Sequence, residues 1–143
     1  MAKFTSSAEN AISVAADLAV RLSHNYVGTE HLLYGLCHSE SGFSAKLLEE
    51  NNVSAESVKG IIESKIGKGA EEVSINENSY TARTKGVLAL AYSLDTQIGS
   101  EYAGTEHILF AIIRDSECMA CRILRALGAS PRELMETGYY FPR

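Results

Sequence analysis

Two nine-residue stretches hold the side chains with chemical promise. Tyr26-Val27-Gly28-Thr29-Glu30-His31-Leu32-Leu33-Tyr34 and Tyr102-Ala103-Gly104-Thr105-Glu106-His107-Ile108-Leu109-Phe110 repeat one pattern at an offset of 76 residues. In each, a glycine punctuates a turn and a glutamate follows in the first turn of the helix expected next. A helix start favours a charged carboxylate there. An ionised carboxylate is also a two-pronged acceptor for a guanidinium. The unpaired N–H groups of the same helix start, with a threonine hydroxyl, suit an anion. Side by side, these groups would read a ligand that is cationic at one end and anionic at the other.

Other residues invite chemistry with less support. Glu30 and Glu106 are also simply good first-turn residues, and Thr5 and Thr81 are natural helix caps, although a cap can also touch a ligand. His31 and His107 lack the HExxH pattern or carboxylate spacing of a zinc site. The further histidines, His24 and His38, align with Ser100 and Arg114, so no metal is expected. Cys118 and Cys121 imitate a redox CxxC, yet they fall on an expected helix with no thioredoxin-like strand before it. Their repeat partners are Gly42 and Ala45, which points to packing. Tyr34 and Phe110 follow a helical stripe as core or groove-lining aromatics, and Tyr139-Tyr140-Phe141-Pro142 forms an aromatic tail.

The elements that must position the motifs repeat with them. The same offset pairs Phe4-Thr5 with Tyr80-Thr81, Leu18 with Leu94, Leu47-Leu48 with Ile123-Leu124 and Ser54 with Ser130 without a gap. The chain is therefore two copies of one unit, about 4–66 and 80–138, joined by a flexible loop over 67–79 that is rich in Gly, Ser, Asn and Glu. Ala8, Ala11, Ile12, Ala15, Leu18, Ala19 and Leu22 recur at helical steps, and Ser6 with Glu9 suggests a capping box, so a first helix is predicted over Thr5–Ser23. Its counterpart starts near Thr81 and carries Val87, Leu88, Leu90, Ala91 and Leu94. Thr29 and Thr105 are expected to cap second helices. Third helices are predicted at Phe43–Asn51 and Glu117–Leu127, the latter stopped by Gly128. Ser54 and Ser130 start fourth helices, with Pro131 at a first helical position. The expected architecture is all-α: eight helices in two four-helix repeats, packed about a pseudo-twofold axis because neither copy can bury its apolar face alone.

Composition fits one domain of this kind. The chain has 143 residues, 45% hydrophobic and 22% charged, and a formal net charge of −5. An acidic balance with no clustered Lys/Arg face argues against nucleic acid. No apolar run reaches the length of a membrane span, and Met1-Ala2-Lys3-Phe4 leads into polar residues rather than a signal-peptide core. Three cysteines in a chain large enough to build a core suit reduced thiols in the cytoplasm.

The paired Gly-Thr-Glu-His motifs, each preceded by an aromatic-Thr dipeptide and followed by a Ser- or Pro-marked short helix, resemble the double Clp N-domain of AAA+ unfoldases. Having both signatures complete resembles the ClpC branch rather than ClpA or ClpB, whose equivalents diverge at the Gly-Thr pair. Ala82, where the family often has proline, and Cys118-Met119-Ala120-Cys121, in place of a Gly- and Ala-rich stretch, depart from the pattern. No Walker-type loop lies in the sequence, so no ATPase or cofactor is expected here. The resemblance implies a non-catalytic recognition domain of an ATP-dependent proteolysis system that binds phosphoarginine-marked proteins in two equivalent pockets, Glu30 with Thr5 and Glu106 with Thr81. It also implies adaptor proteins of the MecA or McsB type, and the AAA+ ring of a parent unfoldase with its ClpP-type protease, as partners. Two other classes compete. An enzyme could use the glutamates as an acid–base pair, but duplicated carboxylates should share one environment whereas such pairs need different ones. A helical scaffold would bind protein partners only.

Overall fold

Most of the helices begin where a short polar side chain or a glycine ends extended backbone. The computed structural model describes residues 4–38, 43–97 and 102–139, and of 94–97 and 137–139 only the backbone. Among the described residues lie eight α-helices: α1 Ser6–Arg21, α2 Thr29–Cys37, α3 Phe43–Glu50, α4 Ala55–Lys65, α5 Ala82–Gln97, α6 Thr105–Arg114, α7 Met119–Ala126 and α8 Pro131–Tyr139. Every helix of the second copy starts 76 residues after its counterpart in the first.

The caps explain these boundaries. Thr5, in extended conformation, accepts the Ala8 N–H at 3.1 Å, so the cap of α1 is Thr5 and not the Ser6 expected from the Ser6–Glu9 pattern. Thr81 does the same for Thr84. Ser54 accepts the Ser57 N–H ahead of α4. At the far end of α7, Gly128 takes φ +83° and the Ala129 N–H returns to the Leu124 carbonyl, a left-handed helix stop. Its repeat partner Asn52 has φ +63°, with Val53 N–H bonded to Leu48, so asparagine makes the same stop in copy one.

The core is one continuous cluster drawn from both copies. The helical stripe of α1 is buried at Ala8, Ala11, Ala15, Leu18 and Ala19, and it meets Leu32, Leu33 and Leu36 of α2. Ala11 and Gly35 nearly touch, because a Cβ on Gly35 would strike the Ala11 carbonyl. In copy two, Ile108, Leu109 and Ile112 of α6 and Ile123 and Leu124 of α7 are buried, while Leu88 and Leu90 of α5 are only partly so. The Leu94 side chain and the aromatic tail beyond Tyr139 lie outside the described residues.

The copies exchange contacts. α2 packs on α7 and α3 on α6, and α1 meets α6 as α2 meets α5. Two isolated parallel bridges join Phe4 to Ala103 and Val27 to Tyr80. Adding 76 to one pair gives the other with its partners reversed, the signature of a pseudo-twofold relation. The joining segment, expected to be flexible, is fastened at both ends. His24 Nε2 lies 2.7 Å from the Gly67 carbonyl, and Gly69 N–H donates to Leu22. A short 3₁₀ turn at Glu77–Ser79, capped by Asn76, delivers the Ser79 carbonyl to Val27 N–H.

Candidate functional site at two helix starts

The Gly-Thr-Glu-His motif is a helix N-terminus built from backbone and side chains in a fixed order. Gly28 and Gly104, not Thr29 and Thr105 as expected, are the cap residues of α2 and α6. The reciprocal bond of the cap comes from histidine: His31 Nδ1 accepts the Gly28 N–H at 2.9 Å, and His107 Nδ1 accepts the Gly104 N–H at 2.9 Å. The duplicated histidines are thus third-position capping groups. The threonines are freed for other work, and Thr29 Oγ1 accepts the Ala120 N–H from α7 across the repeat interface.

Each glutamate folds back over its glycine. A Cβ on Gly28 would collide with the Glu30 carboxylate, and one on Gly104 would collide with that of Glu106. Both glycines have extended backbone, so space rather than an unusual φ demands them.

The two sites are not equivalent. Glu30 is 5% exposed, and its Oε2 accepts the Tyr26 O–H at 3.0 Å. Burial first, then the neighbouring carboxylate, pushes the Tyr26 phenol above its ordinary range, so this O–H stays a donor. The Glu106 side chain is 30% exposed and lies 3.2 Å from His107 Nδ1, while Tyr102, the repeat partner of Tyr26, is 48% exposed. The threonines differ too. Thr81 Oγ1 lies 2.8 Å from the hydroxyl of buried Thr84, where copy one has Ala8.

The pairing of threonine and glutamate is the reverse of the expected one. Thr5 N–H donates to the Ala103 carbonyl at 2.8 Å, placing Thr5 beside the start of α6 and Glu106. Thr81 N–H donates to the Val27 carbonyl at 3.1 Å, placing Thr81 beside the start of α2 and Glu30. The expected grouping of Glu30 with Thr5 and Glu106 with Thr81 follows chain order, whereas the pseudo-twofold exchange brings each cap threonine to the opposite copy. Each helix start is therefore flanked by the cap threonine of the opposite copy.

Behind Glu30 runs a chain of hydrogen bonds that sequence reading missed. With His31 Nδ1 accepting from Gly28, its neutral ring carries the proton on Nε2, which faces His24 Nδ1 at 2.8 Å. His24 then carries its proton on Nε2, aimed at Gly67 O. One order of donors satisfies the chain when both rings are neutral. Burial, and after it the adjacent His24, lowers His31 to about 3. Tyr26 stacks on His24 with ring centroids 5.5 Å apart. Its only sequence signal was that His24 has no histidine counterpart in copy two. Among the described residues no group of three or more His, Cys, Asp or Glu is placed to hold a metal, and no described helix is long and apolar enough to cross a membrane.

Two four-helix repeats exchanging their caps across a pseudo-twofold axis define a double-repeat helical domain. The Clp repeat (R) N-terminal domain model matches residues 3–136, and the chain belongs to that family. It is 40% identical over 128 residues to the negative regulator of genetic competence ClpC/MecB of Bacillus subtilis (strain 168), covering 90% of this chain and 16% of that protein. To the chloroplastic chaperone protein ClpC1 of Oryza sativa subsp. japonica it is 37% identical over 132 residues, covering 92% of this chain and 14% of the other. The chain thus spans about a sixth of the length of these relatives or less. Among solved structures, the N-terminal domain of the caseinolytic protease associated chaperone ClpD from Arabidopsis thaliana has the same fold, with TM-score 0.77, 23% identity and coverage of 96% and 95% of the two chains.

Proposed function

We propose that this domain is the substrate- and adaptor-recognition module of a ClpC-type unfoldase acting in the cytoplasm, and that it binds phosphoarginine-marked proteins at these two helix starts. The observation that supports this reading is the placement at each helix start of a first-turn carboxylate and, through a backbone hydrogen bond just before that start, the cap threonine of the opposite copy. A carboxylate suits the guanidinium face of the ligand as a bidentate acceptor. The cap threonine and the helix-start N–H groups suit the phosphoryl oxygens. Two such sites on one body would favour clustered marks over single ones. Adaptors of the MecA or McsB type, and the AAA+ ring and ClpP-type protease of a longer assembly, belong to the same proposal.

The differing environments rank the sites. Glu30 is almost wholly buried, whereas the Glu106 side chain is already partly exposed to an incoming guanidinium. The Thr5–Glu106 site should fill first. Calorimetric titration with free phosphoarginine, run beside plain arginine, tests the proposal. Saturable binding of phosphoarginine alone, weakened more by Glu106→Ala than by Glu30→Ala and abolished in the double variant, is the expected result. A folded domain that ignores the ligand would overturn it and leave a scaffold for protein partners; uniform loss in either single variant would instead favour a paired-carboxylate site.

A further inference from the structure

The CxxC cysteines lie buried at a helix, as their sequence suggested, with Cys118 just outside the helix rather than within it. Cys118 is the cap residue of α7, in extended conformation, and Cys121 is the third residue of that helix. Both are buried, and both sulfurs rest against one acceptor, the Ile112 carbonyl oxygen, at 3.6 and 3.3 Å. A cap and a third helical residue have Cα atoms about 5 Å apart, inside the range a disulfide spans. The two cysteines therefore face each other across the first turn of a helix, the arrangement in which a thiolate gains from the helix start and from a neighbouring thiol.

We propose that Cys118 and Cys121 are a reversible redox couple that closes to an intrachain disulfide on exposure to hydrogen peroxide, and that closure resets the start of α2, where Glu30 lies. The Cys118 thiolate attacks peroxide, forming an S–O bond and breaking the O–O bond with release of hydroxide. The Cys121 sulfur then displaces the hydroxyl of the Cys118 sulfenic acid, and that oxygen leaves as water with the Cys121 proton. A dithiol reductant reopens the bond by two exchange steps, becoming oxidised itself. Roles divide within the pair. Cys118 stands at the cap, where the helix start favours a thiolate, and Cys121 lies inside the first turn. Peroxide is close to water in size, and the Cys118 cap adjoins the exposed Ser116–Glu117 turn. Cys37, whose thiol burial raises to about 12, is a built-in control. Coupling to α2 runs through the residue between the cysteines, since Ala120 N–H donates to Thr29 Oγ1 in the first turn of α2.

Treatment of the reduced protein with peroxide, followed by thiol counting after denaturation and peptide mapping, tests the pairing. Cys118 and Cys121 should be lost together as one linked peptide, Cys37 should persist, and dithiothreitol should restore both thiols. Persistence of both in the folded protein, or earlier oxidation of Cys37, would overturn the proposal. Cys121→Ala, which installs the residue type of its repeat partner Ala45, should instead leave a Cys118 sulfenic acid that dimedone traps; absence of that adduct in a folded variant counts against Cys118 as the attacking sulfur. The wild-type thiol count decides the pairing even if the variant does not fold. Hydrogen exchange of the Ala120 amide and the first turn of α2 should differ about tenfold between the reduced and disulfide forms, and identical exchange would remove the coupling.

Discussion

Gly28 and Gly104 show how a single atom decides the candidate site. Their backbone is ordinary, so an added Cβ would cost nothing in φ and would fail only by meeting the returning carboxylate. Gly104→Ala is therefore expected to cost about 1–3 kcal/mol, the usual range for overpacking, and to push Glu106 out of place. In a Glu106→Ala background the same change should be nearly silent, and chemical denaturation of the four members of the cycle would measure that coupling. A Gly104→Ala penalty that survives removal of Glu106 would show that the glycine serves something else. His31 offers a second residue-scale expectation. Its folded value of about 3 lies below the ordinary one of 6.5, so the unfolded chain binds the proton first as pH falls. The neutral-ring contribution is complete above about 6.5 and drains away toward 3, roughly 2 kcal/mol being lost between pH 6.5 and pH 5. His31→Gln keeps an acceptor for the Gly28 N–H, and its denaturation midpoint should fall less over that interval than that of the wild type. The residue types of the motif were visible in the sequence. Their division of labour was not, because which side chain caps a helix depends on where extended backbone ends, and here it ends one residue before the threonine.

At the scale of the elements, apolar periodicity located the first and second helices of each copy, start and stop residues marked the fourth helices and the end of the second copy's third helix, and the errors fall at ends where two polar residues compete. Ser6 and Thr5 both suit a cap, and Thr5 wins because its backbone is held extended by the bridge between Phe4 and Ala103. That is a tertiary cause, invisible in a local window. The stop at Gly128 was legible, whereas Asn52, its partner, was not singled out although it does the same with φ +63°. Asparagine tolerates that conformation and alanine does not, so Asn52→Ala should cost about 1 kcal/mol and Asn52→Gly should be neutral or stabilising. Thermal melts of the two variants would show the opposite order if α3 ended by some other device. The anchoring of the joining segment's ends was out of reach for a similar reason. The segment's composition is that of a mobile loop, but its ends are held by partners distant in sequence, with His24 on Gly67, Leu22 on Gly69 and Val27 on Ser79.

Across the whole molecule, the repeat gave the symmetry and concealed its consequence. Reading each copy as a unit grouped Thr5 with Glu30, since both belong to copy one, yet the reciprocal bridges assign Thr5 to Ala103 and Thr81 to Val27. Offset alone cannot reveal an exchange, because an exchanged and an unexchanged pair of repeats have the same sequence; only packing of α2 on α7 and α3 on α6 distinguishes them. The exchange has a thermodynamic corollary. If each copy completes its neighbour's helix starts and shares one core, neither should fold alone, because a half would expose the apolar faces of α2 and α3 and lose the partner of its cap segment. Residues 4–66 prepared by themselves are expected to lack a cooperative thermal transition by circular dichroism, and mixing them with residues 80–138 should restore one whose midpoint rises with concentration. A cooperative melt of either half alone would mean that the copies are independent domains leaning together, and the exchange of cap threonines would then lose its structural basis.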